Sequence, residues 1–245
     1  MSNDKIICMN TVTTIAKREF KGYFLSPIAY VYLIAFLVIV NWVFFHGFFL
    51  IGQADLRPLF TIMPLVFLFF APAVAMGRWA DEQKTGTLEL LFTLPVRDWE
   101  AVIAKFIAGL ALILAAVLLT TPAVVTAEFV GDLDWGPVIG GMIGTVLLGG
   151  AYLSISLVFS ALTENQIIAF ILGVVMCFVM LVIGTPLVAG GPGSLWASSI
   201  TYAGLGTHFQ SIARGVIDTR DIVYYITIIG FFLYVNLLVI RTKTK

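Results

Sequence analysis

Apolar positions gather into six long runs, roughly Ile28–Ile51, Leu59–Met76, Val102–Ala127, Val138–Leu162, Ile167–Val188 and Ile222–Ile240. Crossing a bilayer takes about 20 residues of helix at about 1.5 Å each, and every run is long enough. The pattern predicts an all-α membrane protein of six transmembrane helices, with loops that alternate sides. Composition agrees. The chain is 60% hydrophobic and 11% charged, whereas a soluble domain carries about 25% charged residues. So much apolar surface needs lipid as its solvent.

Ahead of the first run, Val12, Ile15, Ala16, Phe20, Tyr23 and Phe24 follow helical spacing, with Lys17, Arg18 and Lys21 between them. Residues 11–26 therefore read as an amphipathic helix lying in the membrane interface. The first run starts near Pro27, after several charges, and is longer than the core of a signal peptide, so it is expected to stay as a span. With the amino terminus in the cytoplasm, eleven of the 14 basic residues fall inside. Only Arg57, Arg214 and Arg220 fall outside. That bias sets the orientation, with both termini cytoplasmic in a bacterial inner membrane. Net charge is zero, which leaves no electrostatic footprint for nucleic acid. Cys8 and Cys177 have no spacing that suggests a disulfide or a metal site.

The fourth run opens on Gly136, Gly140 and Gly144, a spacing that lets helix backbones approach closely, within one subunit or across a dimer. Pro64, Pro72, Pro122 and Pro186 mark expected kinks. Between the last two runs, the outer segment 189–221 opens on Gly190-Gly191-Pro192-Gly193, which ends any helix. Farther on, Phe209, Ile212, Ala213 and Val216 recur at helical spacing opposite Gln210, Ser211 and Arg214. A short re-entrant helix is expected there, capped by Thr207 and ended by Gly215.

Ionisable residues are scarce inside the runs, which disfavours a proton-coupled carrier. His46 reads as an interfacial residue and His208 as structural or solvated. The sequence has no Gly-x-Ser-x-Gly elbow and no HExxH motif. It has no G-x-x-x-x-G-K-[ST] loop either, so no ATP site of the P-loop kind is expected in this chain. Ser154, Ser156 and Ser160 lie in the fourth run with no histidine to activate them.

What remains is the concentrated polar stretch 79–105, wedged between the second and third runs. Its orientation puts it in water on the cytoplasmic face. Thr85 or Thr87 is expected to cap a helix with Glu89 in its first turn, and Pro95 to stop it. Leu88, Leu91 and Phe92 would share one apolar face, suited to a groove on a soluble partner.

These residues resemble a known family. The pattern E-x-x-x-G-T-x-E-x-L-x-x-x-P, here Glu82, Gly86, Thr87, Glu89, Leu91 and Pro95, resembles the cytoplasmic motif of ABC-2 type transporter permeases. Pro72-x-x-x-Met76, Lys105 and the loop Leu162-Thr163-Glu164-Asn165-Gln166 fit it too. His208, Phe209, Arg214, Gly215 and Asp218 resemble the gliding-motility-associated branch, to which nitrous-oxide-reductase maturation permeases are related. The resemblance implies one ABC-2 transmembrane domain over 1–245, with an interface helix at 11–26, a coupling segment at 79–101 and an outer gate at 189–221. It implies that Glu82, Gly86, Thr87, Leu88, Glu89, Leu91, Phe92, Pro95, Glu164 and Asn165 meet a separate ATPase dimer. That partner would bind ATP and magnesium, since no cofactor is expected in this chain. A second permease subunit, identical or different, is implied, with a periplasmic or auxiliary protein as a further partner. The activity implied is ATP-driven export. The alternative is mechanical transmission to a periplasmic protein.

Overall fold

A computed structural model describes residues 2–51, 55–88, 97–185 and 201–243. Among them lie ten helices and no strand. In chain order these are α1 (Ser2–Leu25), α2 (Pro27–Ile51), α3 (Arg57–Ala75), α4 (Gly77–Lys84) and α5 (Asp98–Leu118), followed by α6 (Thr121–Val130), α7 (Trp135–Leu162), α8 (Gln166–Val182), α9 (Leu205–Ala213) and α10 (Thr219–Lys243). Among the described residues, five stretches are long and apolar enough to cross a membrane: Ala29–Phe48, Arg57–Lys84, Asp98–Val130, Trp135–Leu162 and Thr219–Lys243. The described part of the fifth run forms a shorter apolar helix of 17 residues, α8.

Helix α7 is the central post, and α3, α4, α5, α8, α9 and α10 all pack on it. Its glycines make this possible. A Cβ at Gly141 would lie 2.4 Å from the Phe60 ring, and one at Gly149 would lie 2.9 Å from both Ile113 and Phe67. Bare backbone at these positions lets α3 and α5 close on the post. The Gly136, Gly140, Gly144 stripe is likewise filled from within the chain. A Cβ at Gly140 would stand 2.4 Å from the Ile212 carbonyl oxygen, and one at Gly144 would stand 3.2 Å from Ile212 Cγ2.

Three expectations change on contact with the structure. The amphipathic helix is longer than 11–26, running from Ser2. Its apolar stripe packs mainly on α5 rather than lying open to lipid, with Ala16 and Tyr23 buried. The polar stretch from Trp79 to Lys84 is itself helical, and the junction residue Met76 keeps helical angles (φ −54°, ψ −40°), so α4 continues the line of α3. Pro122 breaks the third run as expected. It cannot donate to the Leu118 carbonyl, and the Thr121 hydroxyl donates there instead.

Outward rows such as Val31, Ile34, Val38 and Trp42 on α2, and Val223, Ile226, Phe231 and Tyr234 on α10, stay exposed. A surface of this kind suits lipid rather than water.

Candidate functional site

Two polar constellations sit at opposite ends of the bundle. The first surrounds α4. Lys105, on α5, is 1% exposed at its side chain, and all three of its ammonium protons are used. They go to Glu82 Oε1 at 2.6 Å, Glu19 Oε1 at 3.1 Å and the Arg78 carbonyl oxygen at 3.0 Å. The ammonium also stands 4.7 Å from the centre of the buried Trp79 ring. Arg78 reaches Glu19 Oε2 at 3.4 Å and lies 3.9 Å over the Tyr23 ring. Two acids and two bases from α1, α4 and α5 thus close a neutral cluster. Burying a charge demands such pairing, because desolvation otherwise outweighs any local gain.

Tyr23 belongs to the same cluster. Its hydroxyl donates to the Val74 carbonyl at 3.1 Å. Burial pushes its ionisation up to about 12, against the pull of Arg78 and with a smaller push from Glu19. The phenol therefore stays a donor and ties α1 to the end of α3.

The α3–α4 junction has its own wedge. Ser160 Oγ, from α7, donates to the Met76 carbonyl at 2.8 Å and accepts from the amides of Trp79 at 3.1 Å and Ala80 at 3.3 Å. A hydroxyl inserted into the helical ladder is a recognised cause of a bend. Farther along α4, Gln83 Nε2 donates to the Ala161 carbonyl at 2.9 Å, and Gln166 Nε2 donates to Asp81 Oδ1. Lys243, at the end of α10, donates to Gln83 Oε1 and, at 3.1 Å, to the Leu162 carbonyl. An eight-residue helix is therefore gripped by side chains from α1, α5, α7, α8 and α10.

The residues expected to couple to a partner divide as follows. Glu82 is in the buried cluster. Gly86 takes φ +71°, the left-handed conformation that ends a helix. The Thr85 hydroxyl donates to the Asp81 carbonyl at 2.7 Å, and the Thr87 hydroxyl lies 2.9 Å from that of Thr85. Thr85 and Gly86 form the turn that ends α4, and the chain is helical again at Thr87 and Leu88. Leu88 is 8% exposed and belongs to the chain's own core, which corrects its assignment to an open docking face. Glu89, Leu91, Phe92 and Pro95 lie outside the described residues. Glu164 is exposed, and Asn165 caps α8 by accepting from the Ile167 amide at 2.9 Å. Lys84, Glu164, Asn165, Gln166 and Ile167 line one surface recess of about 500 Å³. The end of α4 and the α7–α8 loop, distant in sequence, are thereby brought together.

Sequence reading missed Glu19, Arg78, Ser160 and Lys243 as members of this site. Glu19 offered a signal. It stands four residues after Ile15 and four before Tyr23, on the apolar stripe of α1, and a carboxylate there requires an inward cation.

The second constellation surrounds α9. His208 is 5% exposed at its side chain, and its Nδ1 lies 2.6 Å from Asp221 Oδ1. Its Nε2 lies 2.9 Å from the Tyr202 carbonyl oxygen, and its ring stacks on Tyr224 at 4.0 Å. A carbonyl only accepts, so Nε2 donates to it. His208 thus ties α9 to Asp221 and Tyr224 of α10. The Tyr224 and Tyr225 hydroxyls donate to the Ala203 and Leu205 carbonyls at 2.6 and 2.8 Å, completing the seam between α9 and α10. Phe209 is buried. Gly215 ends α9 at φ +92°, with its α-carbon so near Gly136 that a Cβ would lie 2.9 Å from backbone. Thr207 does not cap α9; its hydroxyl donates back to the Gly204 carbonyl at 2.8 Å. Asp218 Oδ1 accepts from the Arg220 amide at 2.9 Å at the start of α10, and Arg214 is exposed.

The model of the ABC-2 family transporter protein matches residues 5–202. The chain belongs to the ABC-2 transporter family. A comparison with curated proteins gives no match. Membership makes this ABC-2 chain a multi-pass membrane protein and a permease component of an ABC transporter, a kind of subunit that works with an ABC ATPase.

Proposed function

We propose that this ABC-2 chain carries the membrane pathway of an ATP-driven exporter and is moved by a separate ATPase that docks at the α4 end. One observation carries the reading: α4 extends α3 and is gripped by side chains from five other helices. A push on α4 therefore has no soft element to absorb it, and displaces the bundle as a body. The recess beside Lys84, Glu164 and Asn165, together with the stretch 89–95, is the docking face. The basic bias puts this face and both termini in the cytoplasm. Residues 167–188 complete a sixth span, 189–221 gate the outer side, and a second permease subunit pairs with this one. ATP and magnesium belong to the ATPase dimer.

The test is purification of the tagged chain from its native host in mild detergent, with ATP turnover assayed and co-purifying chains identified. A P-loop ATPase is expected, and it should be lost from the folded variants Glu89→Lys and Asn165→Trp. A chain that purifies alone and without turnover overturns the reading. Turnover raised by a partner protein, and by no solute, replaces export with mechanical transmission.

A further inference from the structure

At the end of the bundle opposite α4, a recess of about 520 Å³ opens between α3, α8 and α9. Its lining is ordered along the helix axes. At the mouth stand Arg57, at the start of α3, and Arg214, just past the end of α9. Next come the hydroxyls of Thr61, Thr185 and Thr207. Deeper, Pro64, Leu65 and Leu181 form an apolar wall. From Arg57 to Leu65 the wall descends about 12 Å along α3 at 1.5 Å per residue.

The charge is one-sided. Among the described residues, no carboxylate lines the recess. The Arg57 guanidinium lies 3.9 Å from Asp134, with both side chains mostly exposed, and the Asp55 carboxylate accepts from the Arg57 backbone amide at 2.9 Å. Such an exposed ion pair holds weakly. Arg214 spends its Nε on the Gln210 carbonyl at 3.1 Å, which leaves its outer fork for a ligand. The three threonine hydroxyls already donate to backbone carbonyls, of Arg57, Val182 and Gly204. They therefore offer lone pairs, and suit a ligand that brings hydroxyl donors of its own.

Helix α9 is built to present this face. Thr207, Gln210 and Arg214 share one side of the helix, and the opposite side is pinned through His208 to Asp221 on α10. Preorganised groups lose less freedom when a ligand binds.

We propose that this recess binds an anionic, hydroxyl-bearing phospholipid. Its phosphate sits between the Arg57 and Arg214 guanidiniums, its head-group hydroxyls face the threonines, and its tail lies along Leu65 and Leu181. An arginine fork matches a phosphate in both geometry and charge. The proposal deepens the export reading, and rests on it for any role in transport, by giving the cargo or regulator a sign.

The experiment uses the full chain in phosphatidylcholine nanodiscs without any ATPase, so a failure of coupling leaves the result intact. Tail-labelled phosphatidylglycerol is titrated against tail-labelled phosphatidylcholine. Phosphatidylglycerol should bind preferentially. Arg57→Gln and Arg214→Gln should each weaken it by roughly tenfold, as expected for a charge-assisted contact. Leu65→Trp, which leaves both arginines in place, should block the tail. Arg220→Gln, exposed and outside the recess, should change nothing. Equal binding of the two lipids overturns the proposal, as does an Arg220→Gln loss equal to that of Arg214→Gln. So does displacement by inorganic phosphate as effective as that by dodecyl phosphate.

Discussion

The two ends of this molecule are held by different physics. At the α4 end, long charged side chains reach in from α1 and α5, and their ion pairs are made through atoms several bonds from the backbone. At the α9 end, backbone meets backbone: Gly140 lies under the Ile212 carbonyl, and Gly215 lies on Gly136. Side-chain clamps have alternative arrangements, whereas glycine contacts have one. The contrast suits a subunit driven at the first end and braced at the second.

The largest effect should come from removing the cation that the first end is built around. Lys105→Met leaves Glu82 without its ion-pair partner and Glu19 with Arg78 alone. The loss should be about 3 kcal/mol, at the low end for a buried pair because both acids keep some exposure. Mixed-micelle unfolding measures it, and adding Glu82→Met should recover part of the loss. Full stability of the single variant would show that the clamp is not buried in the membrane-embedded protein.

Gly140→Ala tests the second end and should cost about 2 kcal/mol, since the new Cβ meets a carbonyl that cannot move aside cheaply. No double substitution on α9 should rescue it, unlike the Lys105 case. A rescue would erase the distinction between the two ends.

The smallest effect belongs to Arg241→Gln. Arg241 meets Asp98 at 3.0 Å, but half of its side chain is exposed. Thermal unfolding in detergent should register at most about 0.5 kcal/mol. A loss as large as that of Lys105→Met would mean that the whole α4 end, not the buried cluster alone, carries the load.

Much of this layout was legible beforehand, because lipid demands long apolar helices and leaves few other solutions. The apolar runs, the break at Pro122 and the end of α9 at Gly215 follow from local rules. The clamp was not legible. Glu19, Glu82 and Lys105 come from separate helices, and nothing local announces that they meet. The role of Ser160 was hidden for a related reason: a serine in an apolar run reads as a spare hydroxyl until a helical ladder is seen to open opposite it. The burial of Leu88 was misread because an apolar residue beside a polar stretch carries no local sign of which way it faces.

The order in which the clamp residues are made has a consequence of its own. A ribosome delivers Glu19 first, then Arg78 and Glu82, and Lys105 only after α1 to α4 have emerged. Chains are extended at about 5–20 residues per second, so for a second or more the early helices hold acids whose main counter-charge does not yet exist. The first half of the molecule cannot close until α5 arrives, and the junction with α4 cannot set until Ser160 follows. Until Lys105 is made, Arg78 is the one clamp cation available to both Glu19 and Glu82.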